Sequence, residues 1–277
     1  MSDNDDIQIG RILSRREVLV LLGAAGTAVT IAACAPVATA TPSGTAASTG
    51  SSAGNSSGSR ATATSSAAAT SSELAGAPSC VVKPALTEGP YFVDEKLNRS
   101  DITANADGTS VRPGAPLTLT FAVSTVASSG CAPLANALVD VWHCDAVGSY
   151  SDVSGGGNGD TTGQNWLRGY QLTDANGKAT FKTIYPGWYQ GRTVHIHFKI
   201  RTDAGASGGS EFTSQLFFDD AISDAVFANA PYSTKGNRGV RNDGDSIYGQ
   251  AGGQLTLALA GDAASGFTTT FEVGLQA

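Results

Sequence analysis

Short runs in which apolar and β-branched side chains alternate with polar ones recur from residue 117 to the end of the chain. Successive side chains of a strand point to opposite faces, so such runs are typical of strands with one buried face. Thr269-Thr270-Phe271-Glu272-Val273 shows the alternation in its second half. The pattern predicts strands at residues 117–124, 138–145, 169–173, 179–184, 193–200, 212–218, 254–260 and 269–275.

Turn and helix signals between these runs are brief. Asp174-Ala175-Asn176-Gly177-Lys178 separates two predicted strands and predicts a hairpin turn, in which the glycine supplies a positive φ. Asp220 is expected to cap one short helix with Ile222, Ala225 and Val226 on one face. Many short strands, frequent turns and little helix indicate an all-β fold, an antiparallel β-sandwich with a short helix and long loops.

The N-terminus carries a signal of a different kind. Arg15 and Arg16 precede an uncharged run at residues 18–33, which is shorter than the roughly 20 residues that a spanning helix needs. Ile31-Ala32-Ala33-Cys34 resembles a bacterial lipobox, whose cysteine is lipidated and becomes the mature N-terminus. We therefore expect residues 1–34 to be a twin-arginine lipoprotein signal. The protein would be anchored through Cys34 outside the cytoplasmic membrane, or secreted; an uncleaved membrane anchor is the alternative.

Composition divides the rest of the chain. Residues 35–78 are almost wholly Ala, Ser, Thr, Gly and Pro, so they bury too little apolar surface to order and are expected to form a flexible tether. Residues 79–277 have the composition of one globular domain. A net charge of −7 and a pI near 4.9 argue against nucleic acid as a partner.

The chain has four cysteines, of which Cys34 belongs to the lipobox. Cys80, Cys131 and Cys144 allow three pairings in an oxidising compartment. We favour a Cys80–Cys131 disulfide, since both lie near the edges of predicted strands, and expect Cys144 to be a buried thiol. No CxxC spacing occurs, so a zinc–cysteine site is not indicated.

Two of the three histidines, His195 and His197, lie two residues apart in one predicted strand. They share a face of that strand, and two imidazoles so placed can reach a common metal ion. If His143 joined them, the three would form a zinc site of the hydrolytic type. A lone H-x-H pattern also occurs in ordinary strands, so this pair alone does not define a metal site.

Further motifs make the prediction of a metal site more specific. A tyrosine, Tyr150, stands in a Gly/Ser loop after a strand, and Tyr185-Pro186-Gly187-Trp188-Tyr189 precedes Arg192 and the histidine pair. Phe212-Thr213-Ser214-Gln215-Leu216-Phe217-Phe218 follows. In this order, and together with the earlier Thr87-Glu88-Gly89-Pro90-Tyr91, the segments resemble the intradiol ring-cleavage dioxygenases. That family includes catechol 1,2-dioxygenases and protocatechuate 3,4-dioxygenases, and the resemblance covers residues 87–218.

The resemblance implies a mononuclear non-haem Fe(III) site that cleaves a catecholic ring with O2 to a muconate-type dicarboxylate. Its metal ligands would be Tyr150, Tyr189, His195 and His197. A free tyrosine has a pKa near 10, so phenolate ligation suits a hard, highly charged ion. Tyr189 would also be the base that takes the second catechol proton.

The resemblance gives two further residues a catalytic place. Arg192 would stabilise negative charge on the ring, and Gln215 would be its polar neighbour. The expected partners are a small catecholic aromatic and O2. Family members carry an N-terminal helical dimerisation region or a second subunit where this chain has its signal and tether, so oligomeric state stays open.

Two other function classes stay open beside the dioxygenase. A zinc hydrolytic enzyme would use His143, His195 and His197, and a non-enzymatic β-sandwich binding module would hold no metal. Against the first, the neighbours of His143 favour a packed or hydrogen-bonded core histidine. Asp145 and Arg168 are expected to be structural residues that hold the sheet and the Tyr150 loop, and Trp142 and Trp188 to be core or pocket-wall aromatics.

Overall fold

The computed structural model describes residues 81–202, 209–251 and 253–276. The predicted signal and tether, and Cys34 and Cys80 with them, lie outside the described residues. Among the described residues, no helix has the length and apolar character needed to cross a bilayer.

The described chain contains nine strands, two α-helices and two 3₁₀ turns. The strands are β1 (Pro116–Ala127), β2 (Gly130–Pro133), β3 (Leu138–Trp142), β4 (Arg168–Leu172), β5 (Lys178–Ile184), β6 (His195–Arg201), β7 (Glu211–Phe217), β8 (Ala260–Asp262) and β9 (Gly266–Gln276). The helices are α1 (Asp220–Phe227) and α2 (Ser246–Ala251), and the 3₁₀ turns are Tyr232–Lys235 and Asn242–Gly244.

The strands form two sheets, which confirms the all-β sandwich. One sheet has the order β2-β1-β9-β8, with β5 also paired to β1, and the other has the order β4-β3-β6-β7. All pairs in the second sheet are antiparallel. The first sheet departs from the expected antiparallel pattern at one place, because β1 and β9 run parallel over ten residue pairs.

The core lies between the two sheets. Phe121 of β1 packs against Phe181 and Phe271 of its own sheet at ring-centroid distances of 6.1 and 6.0 Å. Across the interface it meets Phe198 of β6 at 5.1 Å. Since side chains alternate along β6, burying Ile196 and Phe198 between the sheets turns His195 and His197 to the outer face of the four-stranded sheet.

Several local predictions need correction. The turn around Gly177 forms with φ +71°, but it joins β4 to β5, which belong to different sheets, so it is not a hairpin. The helix begins one residue earlier than expected, since Asp219 rather than Asp220 accepts hydrogen bonds from the amides of Ala221 and Ile222. Val226 is buried as expected, but Ala225 is exposed. Residues 254–259 form no strand, because the segment pairs only through a single bridge between Thr256 and Phe217.

The structure decides part of the cysteine pairing. Cys144 is a free, buried thiol whose Sγ lies 3.5 Å from the carbonyl oxygen of Gly187, as expected. Cys131 is disulfide-bonded. Pairings of Cys144 are therefore wrong, and Cys80 as the partner of Cys131 stays a prediction.

Candidate metal centre

His195 and His197 meet on the outer face of the four-stranded sheet. Their Nε2 atoms lie 3.0 Å apart, and both side chains are almost completely buried. His195 opposes Phe217 and His197 opposes Gln215 on β7. The two-residue spacing in a strand is thus sufficient to bring both ring nitrogens to one point.

Two phenols from separate loops reach the same point. The Oη of Tyr189 lies 3.1 Å and the Oη of Tyr150 lies 3.5 Å from Nε2 of His195. The two phenol rings stand edge to face, with centroids 5.7 Å apart. Tyr150 is buried and Tyr189 is half-buried, so Tyr189 lies on the side of this group that is closer to solvent. The structure therefore brings together the four side chains that the sequence predicts as metal ligands.

Both imidazoles are uncharged. Burial and the nearby Arg192 guanidinium lower the pKa of His195 to about 3, and burial with His195 as neighbour lowers that of His197 well below its usual value. The Nδ1 of His195 donates to the carbonyl oxygen of Thr193 at 2.7 Å. Because Nδ1 carries the proton, Nε2 of this neutral ring presents a lone pair toward the phenols, as a metal ligand must.

The two phenols, unlike the imidazoles, must lose a proton before they can bind a metal. Burial is the main cause that raises the pKa of Tyr150 and of Tyr189 above the ordinary value of 10, and it outweighs the opposing effect of Arg192. Each phenol therefore keeps its proton at neutral pH unless a cation replaces it. A site with two neutral imidazole nitrogens and two such phenols fits a hard cation of high charge, which favours phenolate over phenol.

The loop that carries Tyr150 is held by two structural residues, as expected. Oδ1 of Asp145 accepts hydrogen bonds from the amides of Val147 and Ser149 at 3.0 and 2.9 Å. The buried guanidinium of Arg168 donates from Nε and Nη2 to the carbonyl oxygen of Ser151 at 3.1 and 2.6 Å. These contacts on both sides of Tyr150 fix the direction of its backbone.

The two tyrosine-bearing segments press against each other backbone to backbone. Gly148 has φ +84°, and a Cβ there would overlap the carbonyl oxygen of Trp188, the residue before Tyr189. Lys235 ties the same segments together, since its Nζ donates to the carbonyl oxygen of Val147 at 2.6 Å and lies 4.8 Å above the Trp188 ring. Only glycine permits this close approach of the two segments that carry the phenols.

Other groups surround the histidine pair. The Trp142 ring stacks on His197 with centroids 5.1 Å apart and an angle of 8°, consistent with its expected place in a pocket wall. A Cβ on Gly89 would lie 3.2 Å from Cε1 of His197, so the Thr87–Tyr91 segment packs on that ring. Tyr91 stacks on Tyr150 with ring centroids 4.5 Å apart, which puts the end of this segment beside the phenols.

Arg192 and Gln215 are in direct contact beside the centre. Nη2 of Arg192 donates to Oε1 of Gln215 at 2.6 Å, and Nε2 of Gln215 donates to the carbonyl oxygen of Thr87 at 2.9 Å. Nε of Arg192 donates to Oδ2 of Asp245 at 2.8 Å. Sequence reasoning missed Asp245, which lies far along the chain from Arg192; its one local signal is its position before a short helix.

His143 does not join the histidine pair. Its Nδ1 donates to the carbonyl oxygen of Cys144 at 2.8 Å, and its Nε2 lies 2.7 Å from Oγ1 of Thr183. Both ring nitrogens are thus occupied, which confirms a hydrogen-bonded core histidine. In the part of the chain that the structure describes, no three His, Cys, Asp or Glu side chains cluster as metal ligands, so the zinc site with His143 is wrong.

Comparisons with known proteins all match this chain to dioxygenases. A family model described as dioxygenase matches residues 87–236. The chain is 31% identical over 156 residues to a chlorocatechol 1,2-dioxygenase of Pseudomonas sp. (strain P51), covering 50% of this chain and 55% of that one. It is 31% identical over 146 residues to a protocatechuate 3,4-dioxygenase beta chain of Burkholderia cepacia, covering 49% and 59%.

The structural comparison extends over more of the domain. An intradiol ring-cleavage dioxygenase from Tetranychus urticae superposes with a TM-score of 0.60 and 28% identity, covering 71% of this chain and 95% of that one. The chain spans about half the length of the curated relatives it matches.

Proposed function

Because the chain belongs to the intradiol ring-cleavage dioxygenase family, we propose that it opens a catecholic ring with O2 between the two hydroxyl-bearing carbons. The product would be a muconate-type dicarboxylate that holds both oxygen atoms, with no reducing cofactor. One observation carries the proposal: Tyr150, Tyr189 and His197 converge on Nε2 of His195 within 3.5 Å.

The donor set supports one Fe(III) ion held by Tyr150, Tyr189, His195 and His197. The two imidazoles are neutral, and two phenolates would offset much of the charge of a ferric ion, which favours ferric over ferrous iron. When bound, Fe(III) would supply Lewis-acid chemistry that activates the ring of a bound catecholate toward O2.

The residues around the donors would have distinct parts in this reaction. Tyr189 is the less buried member of the phenol pair, so its Oη is the one suited to take the second catechol proton. Arg192 would stabilise negative charge that develops on the ring, a role that suits a guanidinium in a desolvated site. Gln215 would hold the guanidinium in place through its Oε1.

The reaction would take place outside the cytoplasm. The paired Arg15 and Arg16, the apolar run after them and the lipobox cysteine Cys34 support export and lipid anchoring. Changing both arginines to lysine is expected to keep the protein in the cytoplasmic fraction on cell fractionation. Export unaffected by the change would remove the twin-arginine part of the proposal.

The first test is spectroscopic. The purified protein is expected to bind about one iron per chain and to show a broad visible phenolate-to-Fe(III) band. Tyr150→Phe and Tyr189→Phe should each shift or abolish the band. Tyr185→Phe is the matched control, because this buried phenol bonds to Ser223 in the core and has no contact with the donor set.

Activity is measured on the same samples. Catechol should be consumed with one O2 per ring, and the ring-opened dicarboxylate should appear by absorbance and mass spectrometry. Tyr189→Phe is expected to lower kcat by about 10²- to 10⁴-fold, the usual contribution of a general base. A colourless protein with stoichiometric zinc, or one that binds no iron after refolding with it, would contradict the proposal.

A further inference from the structure

Asp245 is a buried carboxylate whose two oxygens each accept two hydrogen bonds. Oδ2 accepts from Nε of Arg192 and from the amide of Thr193, both at 2.8 Å. Oδ1 accepts from the amides of Ile247 and Tyr248, at 2.8 and 3.1 Å, at the start of α2. The side chain therefore joins the helix to the segment that leads into β6.

The contacts of Asp245 restrain the guanidinium of Arg192 from one side, and Gln215 restrains it from the other. Nε of Arg192 bonds to Asp245 and Nη2 bonds to Oε1 of Gln215 at 2.6 Å. Nη1 has no hydrogen-bond partner among the described residues. An arginine side chain otherwise has roughly 2 kcal/mol of rotamer entropy, so two anchored nitrogens give the third a fixed direction.

The same carboxylate also acts on the residue before the histidines. Thr193 donates its amide to Asp245, and its carbonyl oxygen accepts from Nδ1 of His195 at 2.7 Å. Thr193 additionally donates from Oγ1 to Asn242 at 2.7 Å, just before Asp245 in the chain. One short stretch of chain thus orients both the arginine and the turn into the histidine strand.

The charge state of Asp245 fits this arrangement. Burial by itself raises the pKa of a carboxyl, but the Arg192 guanidinium and the amides of Thr193 and Tyr248 outweigh it and hold the pKa of Asp245 below its usual range. The group is an anion at neutral pH, and all four of its partners are donors.

We propose that Asp245 is a positioning residue for the ring-cleavage reaction, which holds Arg192 so that its free Nη1 edge faces the bound substrate. This inference rests on the proposed function. Asp245 itself would touch neither the metal nor the substrate and would act through Arg192. Because the arginine would act on charge that develops during the reaction, the loss of its positioning should lower kcat more than it raises KM for catechol.

Asp245→Asn is the informative change. All four groups around the carboxylate donate, so an amide must turn its Nδ2 against either Arg192 and Thr193 or the two amides of α2. We expect kcat for catechol to fall about 10- to 100-fold, the usual cost of losing a group that orients an active-site ligand, with iron content and the visible band retained.

A double-mutant cycle with Arg192→Ala separates positioning from general stability. If Asp245 acts through Arg192, Asp245→Asn should lower kcat by less than about threefold in the Arg192→Ala background. Asp219→Asn is the matched control, since Asp219 also caps a helix through two amides but does not contact Arg192. It should leave kcat unchanged.

The outcomes are distinct. Additive losses in the cycle, an equal loss in Asp219→Asn, or a wild-type rate in Asp245→Asn would each overturn the positioning role while the wild type still cleaves catechol. A wild type that binds no iron or leaves catechol intact would overturn the proposed function and this inference with it. If Asp245→Asn does not fold, Asp245→Glu takes its place in the cycle, since it keeps the charge but moves the carboxylate by one methylene.

Discussion

His143 differs from the other two histidines because each of its ring nitrogens has a protein partner. Burial lowers its pKa to about 4, so it stays neutral in the folded protein at pH values where an unfolded chain would protonate it near 6.5. Its role is therefore structural, and it links the end of β3 to β5 through Cys144 and Thr183.

The lowered pKa of His143 predicts that the stability of the protein depends on pH. Between about pH 6.5 and pH 4 the unfolded chain binds a proton at His143 that the folded protein does not bind, so the free energy of unfolding falls as pH falls. The loss is on the order of 3 kcal/mol and levels off below about pH 4. Denaturant unfolding should show a shallower decline for His143→Gln than for the wild type.

His195 and His197 titrate in both proteins, so the difference between the two curves isolates His143. The comparison begins at pH 8, where His143 is neutral in both folded and unfolded chains and any difference reflects packing alone. Parallel curves from pH 8 to pH 4 would show that His143 does not titrate differently in the two states.

At the scale of elements, the donor set depends on two loops and one strand. The strand orients the imidazoles by its own alternation, whereas the phenols depend on how closely residues 145–150 approach the segment that ends at Tyr189. Gly148 is the point of closest approach, since a Cβ there would overlap the carbonyl oxygen of Trp188. A change at Gly148 should therefore affect metal binding although no ligand is altered.

Gly148→Ala is expected to destabilise the protein by about 1–3 kcal/mol and to weaken iron binding, because the loops must separate. Iron content after dialysis against a chelator and thermal unfolding measure the two effects. Gly108→Ala is the matched control: Gly108 has φ +82°, but nothing lies within 4 Å of its added Cβ. Equal iron retention in both variants would contradict a role for this contact.

At the scale of the whole domain, the two sheets bury a core in which Phe121 meets aromatic rings from both sides. The Phe121 side chain is fully buried and contacts Phe198 of the opposite sheet. Phe198 lies directly after His197, so the packing that holds the sandwich together also holds the histidine strand. Stability of the core and geometry of the centre are thereby connected through β6.

Phe121→Ala should lower the free energy of unfolding by about 3–5 kcal/mol, through lost burial and the cavity that remains. Val111→Ala is the control, because that side chain is 64% exposed and should change stability by less than about 0.5 kcal/mol. Urea unfolding followed by tryptophan fluorescence measures both. Similar midpoints for the two variants would show that the sheets are not joined through this ring.

Much of the fold follows from local pattern. Seven of the eight predicted strands coincide with observed ones over most of their length, because alternation with a period of two is a property of consecutive residues. Residues 254–259 alternate in burial yet form no strand, since a strand needs a partner and only Phe217 offers a bridge there. The parallel pairing of β1 with β9 likewise could not be predicted from local pattern, because it depends on how two distant strands meet.

The sequence by itself determined which side chains share a face of β6, and its motifs pointed to Tyr150, Tyr189, Arg192 and Gln215. Only the tertiary structure decided that Asp245 holds Arg192 and that Trp142 stacks on His197. It also decided that His143 bonds elsewhere. The physical reason is separation along the chain: alternation is set by neighbouring residues, whereas a contact between distant segments depends on the packing of all the elements between them.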